Sequence, residues 1–345
     1  MSRFTVYNNI VTSEKLEQVN PDNLELGEDW LEYLQSIDRS PQSVAAYRND
    51  LKIFWVWNSE FNKNKFFPDL TKREIAKFQN YALNTWGWSP NRIRRVKSCL
   101  SSLSNYIENV LDDDEQFENF KPIIRKIENP VKEAVREKTI LPDNEVDKLL
   151  EILVERKEYQ AACIVAIAAY SGMRKSELLQ MKVKYFGEDH FIYDAMWKTD
   201  KIRTKGFGKL GKPLNKFILY GAKPYLDLWM NERNENGIES EWLFITRTKN
   251  EDKTYTYHQR KDTSSWVEEF TEILGVDFYF HCMRHYTCTK LHRMNLPSHV
   301  IQEFFGWSSS EMLKIYNDLT AEDEFEKYFD KEGIKEVKQG ALSDI

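Results

Sequence analysis

Two serine–proline pairs, Ser40-Pro41 and Ser89-Pro90, each open a long stretch whose apolar residues recur at helical spacing. Serine in that place accepts a hydrogen bond from the free N–H groups of a first helical turn. Proline fits the turn's first position, where its missing N–H costs nothing. After Ser40 the apolar positions are Val44, Tyr47, Leu51, Phe54 and Trp55; after Ser89 they are Ile93, Val96, Leu100, Leu103 and Ile107. Trp30, Leu31 and Leu34 mark an earlier amphipathic segment, and Thr71 to Glu74 is a capping box that opens another through Ile75, Phe78 and Leu83. Punctuation of this kind predicts a bundle of about four helices over residues 25–115.

The rest of the chain divides by the same signals. Residues 1–24 are polar, carry the turn signal Asn20-Pro21-Asp22-Asn23, and are expected to form a leader or arm. Residues 116–140 mix acid, proline and base with weak periodicity, as an interdomain linker does. Pro142-Asp143 opens a second domain, residues 141–320, with Val146, Leu149, Leu150 and Leu153 on one helical face. A very apolar helix follows, Ala161 to Tyr170, closed by Ser171-Gly172. From Phe186 to Leu219 the spacing becomes that of strands, and the glycines of Ile202 to Pro213 suit a hairpin turn. Helical spacing returns at Tyr220 to Arg233 and Thr263 to Leu274, and Trp242 to His258 between them reads as an extended segment and a polar loop. The predicted fold class is mainly α with a small antiparallel β-sheet. A chain of 345 residues is long enough for two cores.

Charge is unevenly distributed. The net charge of −6 taken alone argues against a nucleic-acid partner, but Asn317 to Ile345 holds nine acidic residues against four lysines, a net of 4 − 9 = −5. The acidic tail, residues 321–345, therefore carries most of the deficit, while basic residues gather at Asn91 to Lys97 and Lys198 to Lys216. Arg92, Arg94, Arg95 and Lys97 crowd the first turns after Ser89, where the helix dipole disfavours cations. An arbitrary charge run is ordinarily a solvated face; four cations in this place point instead to an external anion, a DNA backbone. The four cysteines, Cys99, Cys163, Cys282 and Cys288, are scattered without a CxxC pair and read as reduced core residues, suggesting neither zinc nor disulfides. No apolar run approaches the roughly 20 residues that span a bilayer, and the first residues lack the shape of a signal peptide, so the expected location is the cytoplasm, with no membrane partner.

The chemistry concentrates in Phe278 to Cys288, FYFHCMRHYTC, where His281 and Arg284 lie three apart and so on one helical face. An imidazole and a guanidinium there can converge on one anion. Downstream, Trp307 and Tyr316 are nine residues apart, with Gly306 ending the helix that Val300 to Phe305 begins. Upstream, Arg174 and Glu177 are again one helical turn apart. Singly each element is weak: an arginine three before a glutamate is ordinarily a surface ion pair worth under about 1 kcal/mol. The ordered set is what carries information.

The order Arg174, Glu177, Lys205, His281, Arg284, Trp307, Tyr316 resembles the tyrosine recombinases, the phage-integrase family of site-specific DNA strand-exchange enzymes. The resemblance covers roughly Ser40 to Tyr316 and is strongest after Leu141. It implies an N-terminal helical core-binding domain and a C-terminal α+β catalytic domain forming a C-shaped clamp on DNA. It implies a catalytic set of Arg174, Lys205, His281, Arg284, Trp307 and Tyr316, with Glu177 and His285 supporting, and no metal or other cofactor. Tyr316 would form a 3′-phosphotyrosyl link, and a hairpin lysine would protonate the 5′ oxygen that leaves. Lys205 in Thr204-Lys205-Gly206 matches that lysine, with Lys209 as a substitute and otherwise a DNA contact. Tryptophan at 307 stands where many members have histidine, and its indole keeps one N–H donor.

The same resemblance implies double-stranded DNA recombination sites as partner, a homotetramer on DNA that passes through a Holliday junction, and an accessory excision or host DNA-bending factor. The acidic tail, with Phe325, Tyr328 and Phe329, would dock on a neighbouring protomer. Integration and excision of a phage or other mobile element is the expected role. Xer-like resolution of chromosome or plasmid dimers, type IB topoisomerase activity and a non-catalytic DNA-binding regulator are the alternatives.

Overall fold

The computed structural model of the chain describes residues 10–131, 138–206, 211–318, 329–330 and 333–334. The chain divides into two compact units, the first holding Arg3–Glu137 and the second Lys138–Lys205 and Lys212–Ile345.

Helices α1 (Ser13–Glu17), α2 (Pro21–Ser36), α3 (Pro41–Phe61), α4 (Lys72–Asn84) and α5 (Pro90–Val110) make the first unit. The caps read from the sequence are present. Ser40 accepts from the Ser43 N–H, Ser89 from the Arg92 N–H, and Thr71 with Glu74 closes a reciprocal capping box. The core is aromatic: Phe54 meets Phe78 edge-on at 5.0 Å between ring centroids, with Trp30, Trp55 and Trp57 buried around them. A buried aromatic of this size contributes about 1.5–3 kcal/mol by leaving water.

Two sequence expectations are corrected in this unit. The described part of the leader is not a free arm, because Ile10 and Val19 join the core and Leu24 packs against it. Asn20 caps α2, with Pro21 at its first turn, so the supposed turn is a helix start. Asn23 is buried and fully engaged, accepting from the Phe67 N–H at 2.8 Å and donating to the Lys65 carbonyl at 2.8 Å. Leaving such an amide unsatisfied would cost about 1–3 kcal/mol, so the segment is anchored by polar as well as apolar contacts. The expected linker also packs at its start: Phe117 and Ile124 are buried in the same core.

The second unit follows a helical order interrupted by short strands. Helices α6 (Asp143–Glu155), α7 (Tyr159–Ser171) and α8 (Lys175–Leu178) come first, then β1 (Phe191–Ile192), β2 (Met196–Lys198), β3 (Ile202–Thr204), β4 (Lys212–Leu214) and β5 (Phe217–Leu219). Next come α9 (Lys223–Glu235), β6 (Ile245–Lys249), β7 (Tyr255–Gln259), α10 (Ser264–Leu274), α11 (Phe280–Arg293), α12 (Ser298–Phe305) and α13 (Glu311–Tyr316), and then the short strands β8 (Phe329–Asp330) and β9 (Gly333–Ile334). The apolar helix α7 is buried from Ala161 through Ala169 and packs against α6, α9 and α11, which is why it lacks a polar stripe. Strands β1, β2 and β5 form one antiparallel sheet in the order β1-β2-β5, and β3 pairs β4 with Ile202 opposite Leu214.

Trp242 to His258 departs from expectation, because its polar second half is not a loop but β7, paired to β6 with Thr246 opposite His258. Most residues of this hairpin are exposed on both faces, so no apolar alternation announces it. The tail residues Phe325 and Tyr328 lie outside the described residues.

Candidate active site

Glycine 172 ends α7 in the left-handed conformation, φ 59°, and a Cβ there would sit 2.2 Å from Phe305 Cε1. Only glycine lets the chain turn so tightly against α12. The turn delivers Arg174 as the residue preceding α8. Its backbone N–H donates to Glu177 Oε2 and its Nη1 to Glu177 Oε1, each at 3.0 Å. Glu177 is fully buried, and a third donor reaches it: Lys216 Nζ lies 3.3 Å from Oε2. Burial by itself would raise the Glu177 carboxyl, but Lys216 and the two Arg174 groups outweigh it and hold the pKa below the usual value.

Helix α11 presents His281, Arg284 and His285 on one side. Arg284 is fully buried, and its Nη1 donates to the Gly172 carbonyl at 2.7 Å. Its Nε and Nη2 meet no acceptor in good hydrogen-bond geometry among the described residues, although the guanidinium is near enough to the Tyr316 hydroxyl to be favoured by it, and the buried Nε1 of Trp307 has no partner either. Burial foremost, then Arg174, pulls the Arg284 pKa down to about 10, which leaves the guanidinium charged at neutral pH. It lies 4.7 Å from the Phe305 ring centre, 5.0 Å from Trp307 and 5.3 Å from Tyr316. These rings form a stack: Trp307 is 4.4 Å from Phe305 at 10° and 5.0 Å from Tyr316 at 21°.

At the end of α13, Tyr316 is 5% exposed and its Oη is 2.9 Å from His281 Nε2. His285 packs on the Tyr316 ring at 4.6 Å and is pushed down to about 4, first by burial and then by Lys138, which outweigh the neighbouring Asp318. Asp318 anchors the residues just after Tyr316. Its N–H donates to Thr289 Oγ1 at 3.0 Å, its carboxylate pairs with Lys138, and Oδ2 stands 3.6 Å from His285 Nδ1.

Seven of the sequence-predicted residues thus converge: Arg174, Glu177, His281, Arg284, His285, Trp307 and Tyr316. Lys205 is exposed at the start of the β3–β4 turn, and Lys209 lies outside the described residues. Lys216 and Asp318 were missed. The signal for Lys216 was a lone charge beside the apolar run Phe217 to Leu219, and it was read only as part of a basic stretch.

The four basic residues of α5 each have a partner inside the protein. Arg92 and Arg95 both bind one internal anion, the fully buried carboxylate of Asp50, through Arg92 Nη1 at 2.5 Å and Arg95 Nη2 at 2.7 Å. Lys97 is buried as well and donates to Gln79 Oε1 and to the carbonyls of Ile127 and Glu128, each at 2.9 Å. Arg94 donates to the Pro130 carbonyl at 2.7 Å. One of the anions facing these cations is therefore Asp50 of the protein itself, while the partners of Arg94 and Lys97 are neutral and Arg95 stays half exposed. A concave surface lined by Arg39, Arg94, Ser98, Ser101, Asn105 and Arg125 remains on the same unit, polar and basic.

No group of three or more His, Cys, Asp or Glu side chains among the described residues is placed to hold a metal ion. No helix of the described residues is long and apolar enough to cross a membrane.

The second unit thus gathers a tyrosine, two arginines and two histidines, a set of side chains suited to meeting an anion such as a phosphate. Residues 139–323 match the phage integrase family, and residues 26–116 match the SAM-like N-terminal domain of phage integrases. The chain belongs to the phage integrase family, the tyrosine-type site-specific recombinases that break and rejoin DNA strands. It is 28% identical to the SPbeta prophage-derived recombinase-like protein YomM of Bacillus subtilis over 77% of each chain. It is 24% identical to the tyrosine recombinase XerA of Pyrococcus horikoshii over 89% of this chain and 92% of that protein. Among solved structures, XerH bound to a palindromic difH substrate superposes with a TM-score of 0.58 at 20% identity, covering 88% of this chain and 94% of that one. A lambda integrase dimer bound to a COC′ core site gives 0.58 at 15% identity, covering 90% and 99%.

Proposed function

We infer that Tyr316 is the nucleophile of this recombinase, on the observation that its hydroxyl is hydrogen-bonded to His281 beside the unpartnered N–H groups of Arg284 and Trp307. Buried donors without partners are costly, and a phosphate seated among them would satisfy all three. The guanidiniums of Arg174 and Arg284 fork onto non-bridging oxygens and stabilise the negative pentacoordinate transition state. Tyr316 Oη attacks phosphorus as its proton passes to His281 Nε2. The bond to the 5′ oxygen breaks, that oxygen takes a proton from a lysine of the β3–β4 turn, and a 3′-phosphotyrosyl ester remains. Lys205 and Lys209 both fall in the sequence between β3 and β4. A free 5′ hydroxyl then attacks the ester and releases the tyrosine. The ester conserves the bond energy, so no ATP is consumed.

The partner is a pair of double-stranded DNA recombination sites, gripped by a helical domain over residues 25–115 and a catalytic domain over 141–320. The protein works in the cytoplasm as a homotetramer that exchanges strands through a Holliday junction, helped by an accessory excision or DNA-bending factor. Similarity to a prophage-derived recombinase-like protein and to transposase B of Tn554 favours integration and excision of a mobile element. Similarity to XerA over most of both chains supports a second reading, resolution of chromosome or plasmid dimers. The test is to incubate wild type and Tyr316→Phe with nicked duplexes from a candidate attachment region and separate the products under denaturing conditions. A covalent adduct that requires Tyr316 is expected. Tight binding without any adduct would overturn the assignment in favour of a regulator.

A further inference from the structure

Lys216 is 2% exposed, in the link between β4 and β5, and it is none of the residues assigned to the reaction above. Its backbone is fixed on both sides by Thr199: the Lys216 N–H donates to Thr199 Oγ1 at 3.0 Å, and its carbonyl accepts from the Thr199 N–H at 2.9 Å. The next residue, Phe217, pairs with Lys198 in the β2–β5 ladder. The side chain therefore projects from a rigid base. Its ammonium meets two acceptors, Glu177 Oε2 at 3.3 Å and the Phe305 carbonyl at 3.5 Å.

Those acceptors belong to opposite sides of the site. Glu177 holds Arg174 by both its backbone N–H and its guanidinium. Phe305 is the last residue of α12 and stacks on Trp307, with Arg284 over its ring. Between them, Gly306 has φ 69°, and a Cβ there would stand 2.7 Å from Leu214 Cδ1 and 3.9 Å from Lys216 Nζ, so glycine lets the helix end approach the sheet this closely. Stability alone gives a poor reason for the lysine. A buried ion pair is often replaced by apolar residues of similar volume with no loss, because removing both charges from water costs as much as their attraction returns. What an apolar residue would not do is fix two polar groups at a set distance.

We propose that Lys216 is a positioning residue of strand cleavage, whose ammonium ties the Arg174–Glu177 pair to the α12 end that carries Trp307 and so holds the two sides of the phosphate cradle in register. The role rests on Tyr316 attacking a phosphate seated in that cradle. Lys216 itself is closed off by Glu177 and the Phe305 carbonyl, so it acts through Arg174 and Trp307 rather than on the substrate.

The experiment is single-turnover adduct formation by the full chain on a nicked duplex, with wild type, Lys216→Met and Lys216→Gln. Each is run on the ordinary phosphodiester and on a neutral methylphosphonate at the scissile position. Misplacing a charged group by about 1 Å can cost on the order of 100-fold, and that is the expected slowing for Lys216→Met, with DNA affinity within about twofold of wild type. Lys216→Gln, which keeps donors but not the charge, is expected to recover about tenfold of that loss, and it carries the comparison if Lys216→Met does not fold. Removing the phosphate charge removes most of what Arg174 is positioned to meet, so both deficits should shrink on the methylphosphonate. A variant as fast as wild type, or equally slowed on the two substrates, overturns this role while leaving Tyr316 as nucleophile. A wild type that forms no adduct at all overturns the reading of the site and this role with it.

Discussion

Tyr316 Oη stands 2.9 Å from His281 Nε2, although the two residues are 35 positions apart and sit on different helices. The contact is held from behind. His285 packs against the Tyr316 ring, and Asp318 fastens the following residues to Thr289 and Lys138. Tyr316 therefore meets an imidazole in the arrangement that proton removal requires, and the ring stack with Trp307 limits its rotation.

Replacing His281 by alanine should slow adduct formation by about 10²–10⁴-fold, the range that one positioned acid or base contributes, while duplex binding stays close to wild type. Single-turnover cleavage beside a binding titration reads both quantities. An unchanged rate would mean that the hydroxyl loses its proton elsewhere.

Acid sensitivity should be traceable to His285. Its folded pKa of about 4 lies below the ordinary value of 6.5, so between these limits the unfolded chain binds the proton and the folded one does not. The stabilising contribution is complete above pH 6.5 and is lost as pH falls toward 4. Lys138 and His281 disfavour the charged imidazole, and Asp318 favours it. Melting temperature measured across this range should fall more steeply for wild type than for His285→Asn. Parallel curves would show that His285 does not govern this part of the profile.

Asp50 gives a prediction in the first unit. Its buried carboxylate is the shared partner of Arg92 and Arg95 across α3 and α5. Asp50→Ala should destabilise that unit by about 2–3 kcal/mol, the scale of hydrogen bonds to a charged group, since both arginines are part-exposed and can turn to water. Denaturant unfolding measures the loss. If Asp50→Ala unfolds with wild type, the two arginines are not bound to it in solution.

Local chemistry made much of this protein legible in the sequence. Ser40, Thr71 and Ser89 cap the helices expected of them, because a side-chain oxygen bonds N–H groups only two or three residues away. The spacing of Arg174 to Glu177 and of His281 to Arg284 fixed which side chains share a helical turn, and resemblance to a family supplied their order. The leader was misread because a polar segment can still be anchored through one asparagine, and Asn23 bonds residues more than 40 positions away. The internal partner of the α5 charges was not legible, because a dipole argument counts cations and their helix but not the carboxylate, Asp50, that another helix brings to two of them. Lys216 stayed hidden for the same reason: its two partners, Glu177 and Phe305, are distant in the chain and become neighbours only where β5, α8 and α12 meet. Short-range hydrogen bonding and periodicity were set by sequence alone, while the pairing of buried charges was decided by packing, which determines which groups lose water together.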